Sequence, residues 1–145
     1  MKKLSSPLTP VLGGMLMLVA SGHSFAEEIE HPGKKVFESA CMVCHAVEGR
    51  PTIAPPIFAV KSHVIAVHPE RDDFIQRVKD WVEAPNADDA LMPGAIRKFG
   101  LMPAMPQLSD EDLQVVAEYL FDTDMELSDW YKKHYEEEHG ETPKE

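Results

Sequence analysis

Cys41-Met42-Val43-Cys44-His45 constrains this chain more than any other segment. Thiols separated by two residues, with an imidazole directly after them, form the pattern by which a haem is bonded to protein. That spacing puts the sulfurs about one helical turn apart, which suits the two vinyl groups at one haem edge, and His45 then falls beneath the iron. The same thiols would also serve a disulfide redox pair or half of a zinc site, but neither needs His45. A thioredoxin-like pair sits among alternating strands and helices, a pattern missing here, and a four-ligand zinc site needs more cysteines or a well-spaced histidine pair. At 145 residues the chain is the size of one domain with short extras, so one site is expected.

Attachment of this kind normally takes place outside the cytoplasm, and the N-terminus reads as an export signal. Lys2 and Lys3 precede an apolar run from Val11 to Ala20, and Ser24-Phe25-Ala26 carries small residues where a signal peptidase reads them. Cleavage is expected after Ala26, giving a periplasmic protein. The run is interrupted by Gly13 and Gly14 and falls short of the roughly 20 residues that span a bilayer. Removing residues 1–26 takes away Lys2 and Lys3 and no acid, which moves the formal charge from −11 to −13. Nucleic acid is a poor partner for such a surface, whereas a basic patch on a redox protein would attract it. Cys41 and Cys44 are the only cysteines, and an exported chain must keep them paired, metallated or alkylated.

Along the chain the pattern is helical and broken by proline. Gly33 opens a segment in which Val36, Phe37, Ala40, Cys41 and Cys44 share a helical face, so a first helix of about three turns is expected. Ala46 to Pro69, with Gly49, Pro51, Pro55 and Pro56, shows no sustained period and reads as irregular loop. Phe74, Ile75, Val78, Trp81 and Val82 mark a second helix closed by Pro85. Ala87 to Gln107 holds three Met-Pro pairs and reads as a stiff loop. Ser109-Asp110-Glu111-Asp112 is an N-cap with a carboxylate three residues on, ahead of the apolar face Leu113, Val116, Ala117, Leu120 and Phe121. Beyond it Leu127, Trp130, Tyr131 and Tyr135 recur near the helical period within a charged tail, which either docks as a short helix or ends solvated.

From these residues the chain is similar to class I cytochromes c, small monohaem electron carriers, over about Pro32 to Phe121. The resemblance implies an all-α fold in which three or more helices and long loops wrap one covalently bound haem c. It divides the chain into a signal peptide (1–26), a cytochrome c domain (27–124) and a charged C-terminal tail (125–145). Gly33-Lys34-Lys35-Val36-Phe37 resembles the family's first helix, whose glycine permits close crossing with the last helix, and Tyr119 resembles the partner aromatic. Ala54-Pro55-Pro56-Ile57 resembles the loop whose proline carbonyl, at Pro55, accepts a hydrogen bond from the proximal histidine. The family commonly has glycine where Ala54 stands.

A thioether opposite His45 would favour reduced iron and raise the potential into the range of a carrier. Met92, Met102 and Met105 compete for that position, and Met102 matches the family's separation from the last helix. His63 and His68 are the other candidate iron ligands, and either would give a bis-histidine haem of lower potential. Trp81 and Arg97 lie in regions resembling the propionate-side loops, where an indole N–H and a guanidinium would meet those anions. His134 and His139 could take up a stray metal, whereas His31 has no assigned role.

The leading reading is an electron carrier and not an enzyme, with iron closed on both sides and redox proteins (dehydrogenase, reductase or oxidase) as partners. A second is a dedicated cytochrome subunit of a dehydrogenase or oxidase complex, gripping its catalytic chain through Trp130, Tyr131 and Tyr135. A third is a haem enzyme or gas sensor with an open distal position.

Overall fold

A computed structural model describes residues 30–48 and 53–144, and the expected signal peptide lies outside that range. The described residues form helices and no strands, in keeping with the all-α expectation. Among the described residues there are six α-helices: α1 (Pro32–Val36), α2 (Ile57–Val67), α3 (Arg71–Glu83), α4 (Pro93–Phe99), α5 (Asp110–Asp122) and α6 (Asp129–His139). None is long and apolar enough to cross a membrane.

α5 begins where the sequence places it. Ser109 Oγ accepts from the Asp112 amide at 3.1 Å while the Asp112 carboxylate accepts from the Ser109 amide at 3.0 Å, a reciprocal cap that satisfies two otherwise orphaned donors. The hydrogen bonds from Ser109 hold the Asp112 carboxyl below the usual carboxylate range. Leu113, Val116, Ala117 and Leu120 then bury one face, and α5 packs against both α1 and α3.

The crossing of α1 with α5 depends on Gly33. A Cβ there would lie 1.9 Å from the Val115 carbonyl oxygen and 2.6 Å from the Tyr119 Cβ. Phe37 and Tyr119 meet across the same crossing with ring centroids 5.7 Å apart. α1 does not run on as the uniform helix of about three turns that the sequence suggests. After Val36 it widens into a π turn over Phe37–Cys41, in which the Met42 amide donates to the Phe37 carbonyl at 3.0 Å. No residue type marks such a turn in advance.

Two expectations are corrected. The segment read as loop between Ala46 and Pro69 contains α2, and the Met-bearing stretch contains a 3₁₀ turn at Ala87–Asp89 and the short helix α4. α4 starts with Pro93 in its first turn, where a missing N–H costs nothing, and ends at Gly100 with φ +86°. α2 shows no helical period in the sequence because it is buried on more than one side. Ile57 and Val64 belong to the main core with Phe37, Phe74, Ile75, Val78, Val116, Ala117 and Leu120. Phe58 and Ala59 belong instead to a second cluster with Leu127, Tyr131 and Tyr135. A helix covered on several sides carries no single apolar stripe.

The second cluster answers the question left open for the tail: α6 docks. Tyr131 is 2% exposed and Tyr135 3%. Met125 packs against both clusters, so packing continues across the expected boundary at 124/125. The rings that a catalytic partner would grip face this chain's own α2.

Lys61, also on α2, ties the end of α5. Its buried Nζ donates to the Phe121 carbonyl at 3.1 Å and the Thr123 carbonyl at 2.7 Å, supplying a cation to the negative end of the helix. Burial pulls its pKa down, and Asp124 and Asp122 act the other way. Replacing Lys61 by methionine keeps the apolar stem but strands both carbonyls, with an expected loss of about 2 kcal/mol in a chemical-denaturation curve.

Candidate haem site

The motif cysteines sit at the end of the π turn. The His45 amide donates to the Cys41 carbonyl at 2.9 Å and the Cys44 amide to the same carbonyl at 3.1 Å, so Cys41 to His45 form one tight turn. Cys41 is half-buried and Cys44 exposed, and both are free thiols. Burial raises the Cys41 pKa, with the neighbouring Cys44 adding to it. Among the described residues no group of three or more His, Cys, Asp and Glu side chains converges as a metal-ion site, so the zinc alternative lacks its further ligands there.

His45 is fixed from behind. Its Nδ1 donates to the Pro55 carbonyl at 2.8 Å, the hydrogen bond that the resemblance implies for those residues. One residue further on, the Ile57 amide donates to the Ala46 carbonyl at 3.0 Å. These two bonds draw the start and end of the intervening loop together, and Pro56 passes the chain directly into α2. Burial lowers the His45 pKa more than the Pro55 bond raises it, which favours the neutral ring. With Nδ1 committed, the lone pair of Nε2 is the one available to a metal.

This donor set fits a covalently held haem: two free thiols on one turn, then a neutral imidazole with a defined free nitrogen. Apolar side chains stand within and just after the motif, with Met42 45%, Val43 72% and Val47 46% exposed. That is a large apolar surface for one short segment to present to water.

The remaining candidates arrive on separate elements. Met102 is half-buried in the extended stretch between α4 and α5. That stretch is pinned to α3 where the Met105 amide donates to the Val82 carbonyl at 3.1 Å, next to half-buried Trp81. The Arg77 guanidinium lies 5.3 Å from the Trp81 ring centroid, and Arg97 is exposed on α4. Met92 packs against the second cluster. His68 Nδ1 lies 2.8 Å from the Asp73 carboxylate.

His63 belongs to the seam between α2 and α6. Its Nδ1 donates to the Ala59 carbonyl at 2.8 Å and lies 3.2 Å from the Tyr131 hydroxyl, while its ring meets those of Tyr135 and His139. Burial is the main cause that holds its pKa below the ordinary value of 6.5, and His139 and His134 on α6 push the same way. Burial also drives the Tyr131 hydroxyl up to about 12, so it stays neutral. An unfolded chain takes up a proton near pH 6.5 that docked His63 refuses, so the stability due to neutral His63 is complete above that pH. It is lost as the pH falls from there toward the lowered folded value. Proteolysis of α6 is therefore expected to speed up between pH 7 and pH 5 in the wild type and to be flatter in His63→Gln, as read on a gel.

The π turn and the bond between Ile57 and Ala46 carry the site yet have no sequence signal of their own. Pro55-Pro56 is the one pointer to that loop closure.

Comparison with known proteins gives concordant relatives. The cytochrome c family model matches residues 31–124. The chain is 32% identical over 97 residues to cytochrome c oxidase subunit 2 of Alkalihalophilus pseudofirmus, covering 65% of this chain and 25% of that protein. It is 28% identical over 102 residues to photosystem II extrinsic protein V of Parasynechococcus marenigrum, covering 67% of this chain and 59% of that protein. Against the protein of that name from Pyropia yezoensis, identity is 24% over 147 residues, covering 83% and 89%. The chain thus spans a quarter of the oxidase subunit and under two thirds of the first photosystem protein. No solved structure gives a significant match.

Proposed function

Because the chain belongs to the cytochrome c family, we propose that it is a periplasmic monohaem carrier, with one haem c bonded through Cys41 and Cys44 and its iron held between His45 and Met102. Family membership itself makes it a haem-binding electron-transfer protein. The observation that carries the finer reading is the 2.8 Å hydrogen bond from His45 Nδ1 to the Pro55 carbonyl, made by the residue directly after two cysteines that no disulfide joins.

The bound haem supplies an iron that takes up and returns one electron. This chain's residues set the conditions for that. The Pro55 carbonyl orients the His45 ring and strengthens Nε2 as a donor. The Met102 thioether, soft and neutral, favours the reduced state. Trp81 and Arg97 offer N–H groups to the haem's anionic edge. With His45 and Met102 both holding the iron, no ligand position would be left for a substrate, which would make the protein an electron carrier and not an enzyme. The apolar rim at Met42, Val43 and Val47 and the acidic remainder of the surface meet redox partners with a complementary basic patch.

The test is the optical spectrum and intact mass of exported protein, wild type and Met102→Ala. The expected wild type has the mass of the chain cut after Ala26 plus one haem, shows the weak ferric sulfur-to-iron band and resists carbon monoxide. Met102→Ala should lose that band and bind carbon monoxide as the ferrous protein. A wild type that binds carbon monoxide readily and lacks the band overturns the His/Met assignment in favour of an open distal position.

A second reading is a dedicated cytochrome subunit, favoured by the similarity to an oxidase subunit. Gentle solubilisation followed by sizing of the native material separates the two, since a carrier runs alone.

A further inference from the structure

The matched family region stops at residue 124, and α6 lies beyond it with no function attached. We propose that α6 is a clasp on the proximal side of the haem site and that Tyr131 is a positioning residue for His45, acting through α2. The proposal rests on the reading of His45 as the proximal ligand.

The chain of contacts is short. Tyr131 packs edge-on against Phe58 with ring centroids 5.3 Å apart, and Trp130 reaches the same ring at 6.2 Å. The Tyr131 hydroxyl lies 3.5 Å from the Ala59 carbonyl and 3.2 Å from His63 Nδ1. Phe58 and Ala59 stand in the first turn of α2, directly after Pro55 and Pro56. The Pro55 carbonyl holds His45 and the Ile57 amide holds Ala46. What grips the first turn of α2 therefore fixes the carbonyl that orients the imidazole.

The core grips this turn from one side only. Ile57 points into the main core, and its neighbour Phe58 points into the cluster made by α6. Phe58 is 2% exposed and Ala59 also 2% while α6 is docked. Without α6, the side of the turn carrying Phe58 would face water, and the segment from Pro55 to Ala59 would keep its hydrogen bonds and the seat of Ile57 in the core but lose the packing on its other side. Segments with few buried contacts open at low free-energy cost. A weaker bond at Nδ1 makes the ring a poorer donor to ferric iron, which raises the potential.

Two measurements on the full-length holoprotein test this. The first is the midpoint potential and the exchange rate of the His45 Nδ1 proton, by nuclear magnetic resonance, in Tyr131→Ser, Tyr131→Phe and Lys133→Ser. Lys133 projects from the open side of α6, paired only loosely with Glu137 at 3.8 Å. Tyr131→Ser should raise the potential and speed exchange roughly ten-fold or more, with Tyr131→Phe largely restoring both and Lys133→Ser changing neither. The second uses the wild type, so that a variant that fails to fold leaves no gap: native-state exchange in low denaturant should show the Nδ1 proton exchanging through the same opening as the α6 amides. If the α6 amides exchange in an earlier opening that leaves the Nδ1 proton protected, or if Tyr131→Ser releases α6 to protease with potential and proton exchange unmoved, the clasp is overturned. The wild-type optical spectrum and mass judge the haem reading separately, because they report attachment and ligation whether or not α6 and the Nδ1 proton open together.

Discussion

Gly33→Ala is expected to cost about 3 kcal/mol or more, a large share of the 5–15 kcal/mol that holds a domain of this kind together. The added methyl would lie 1.9 Å from the Val115 carbonyl oxygen, a contact that only movement of the backbone can relieve. α1 and α5 would have to separate, and Phe37, 2% exposed at their crossing, would lose its seat. Because α1 feeds directly into the turn that bears both thiols, the effect should reach the haem. The checks are the urea midpoint and the yield of coloured exported protein, both of which should fall sharply. A variant as stable as the wild type would mean that the helices do not cross this closely.

Replacing both Cys41 and Cys44 by serine should abolish attachment while leaving a chain that is exported and processed. Serine matches cysteine in shape, but a hydroxyl forms no thioether with a vinyl group, so the product should show the bare polypeptide mass and no visible absorption. The single replacements are expected to differ from the double one. Either leaves one thioether, so some coloured protein should survive with a shifted reduced-state absorption maximum. Cys41, the half-buried thiol, is the one whose loss should also lower stability, since its side chain packs against the main core. Mass spectrometry and the reduced spectrum decide each case.

How much of this was legible beforehand depends on whether a signal is local. The reciprocal cap at Ser109 and Asp112 and the apolar face of α5 are each contained in a few consecutive residues, and the structure has each where the sequence puts it; the pattern from Cys41 to His45 is equally local. α2 was missed because its apolar residues serve two clusters, and the tail that forms the second lies some 70 residues further on, as the separation of Ala59 from Tyr131 shows. The period of Leu127, Tyr131 and Tyr135 is visible in the sequence, but its docking depends on a surface of α2, a helix that has no sequence period of its own. α4 is seven residues long and begins Pro-Gly, too short and too atypical for a periodicity to show. Of the site, the thiols and the imidazole could be read from spacing, and Pro55 and Met102 only through resemblance, because nothing in a lone Pro or Met states what lies opposite it.

The widened turn at Phe37–Cys41 has a consequence for how this protein tolerates changes in length. A π turn holds one more residue than the α-helical turn it replaces, within nearly the same rotation about the axis. Deleting a single residue between Phe37 and Cys41 would let the helix close normally with both sulfurs still on the side of His45, whereas the same deletion in the regular turns of α5 would rotate all that follows by about 100°. The one place in this helix where a residue can be lost without uncoupling the attachment points from the proximal ligand is therefore the turn just before them.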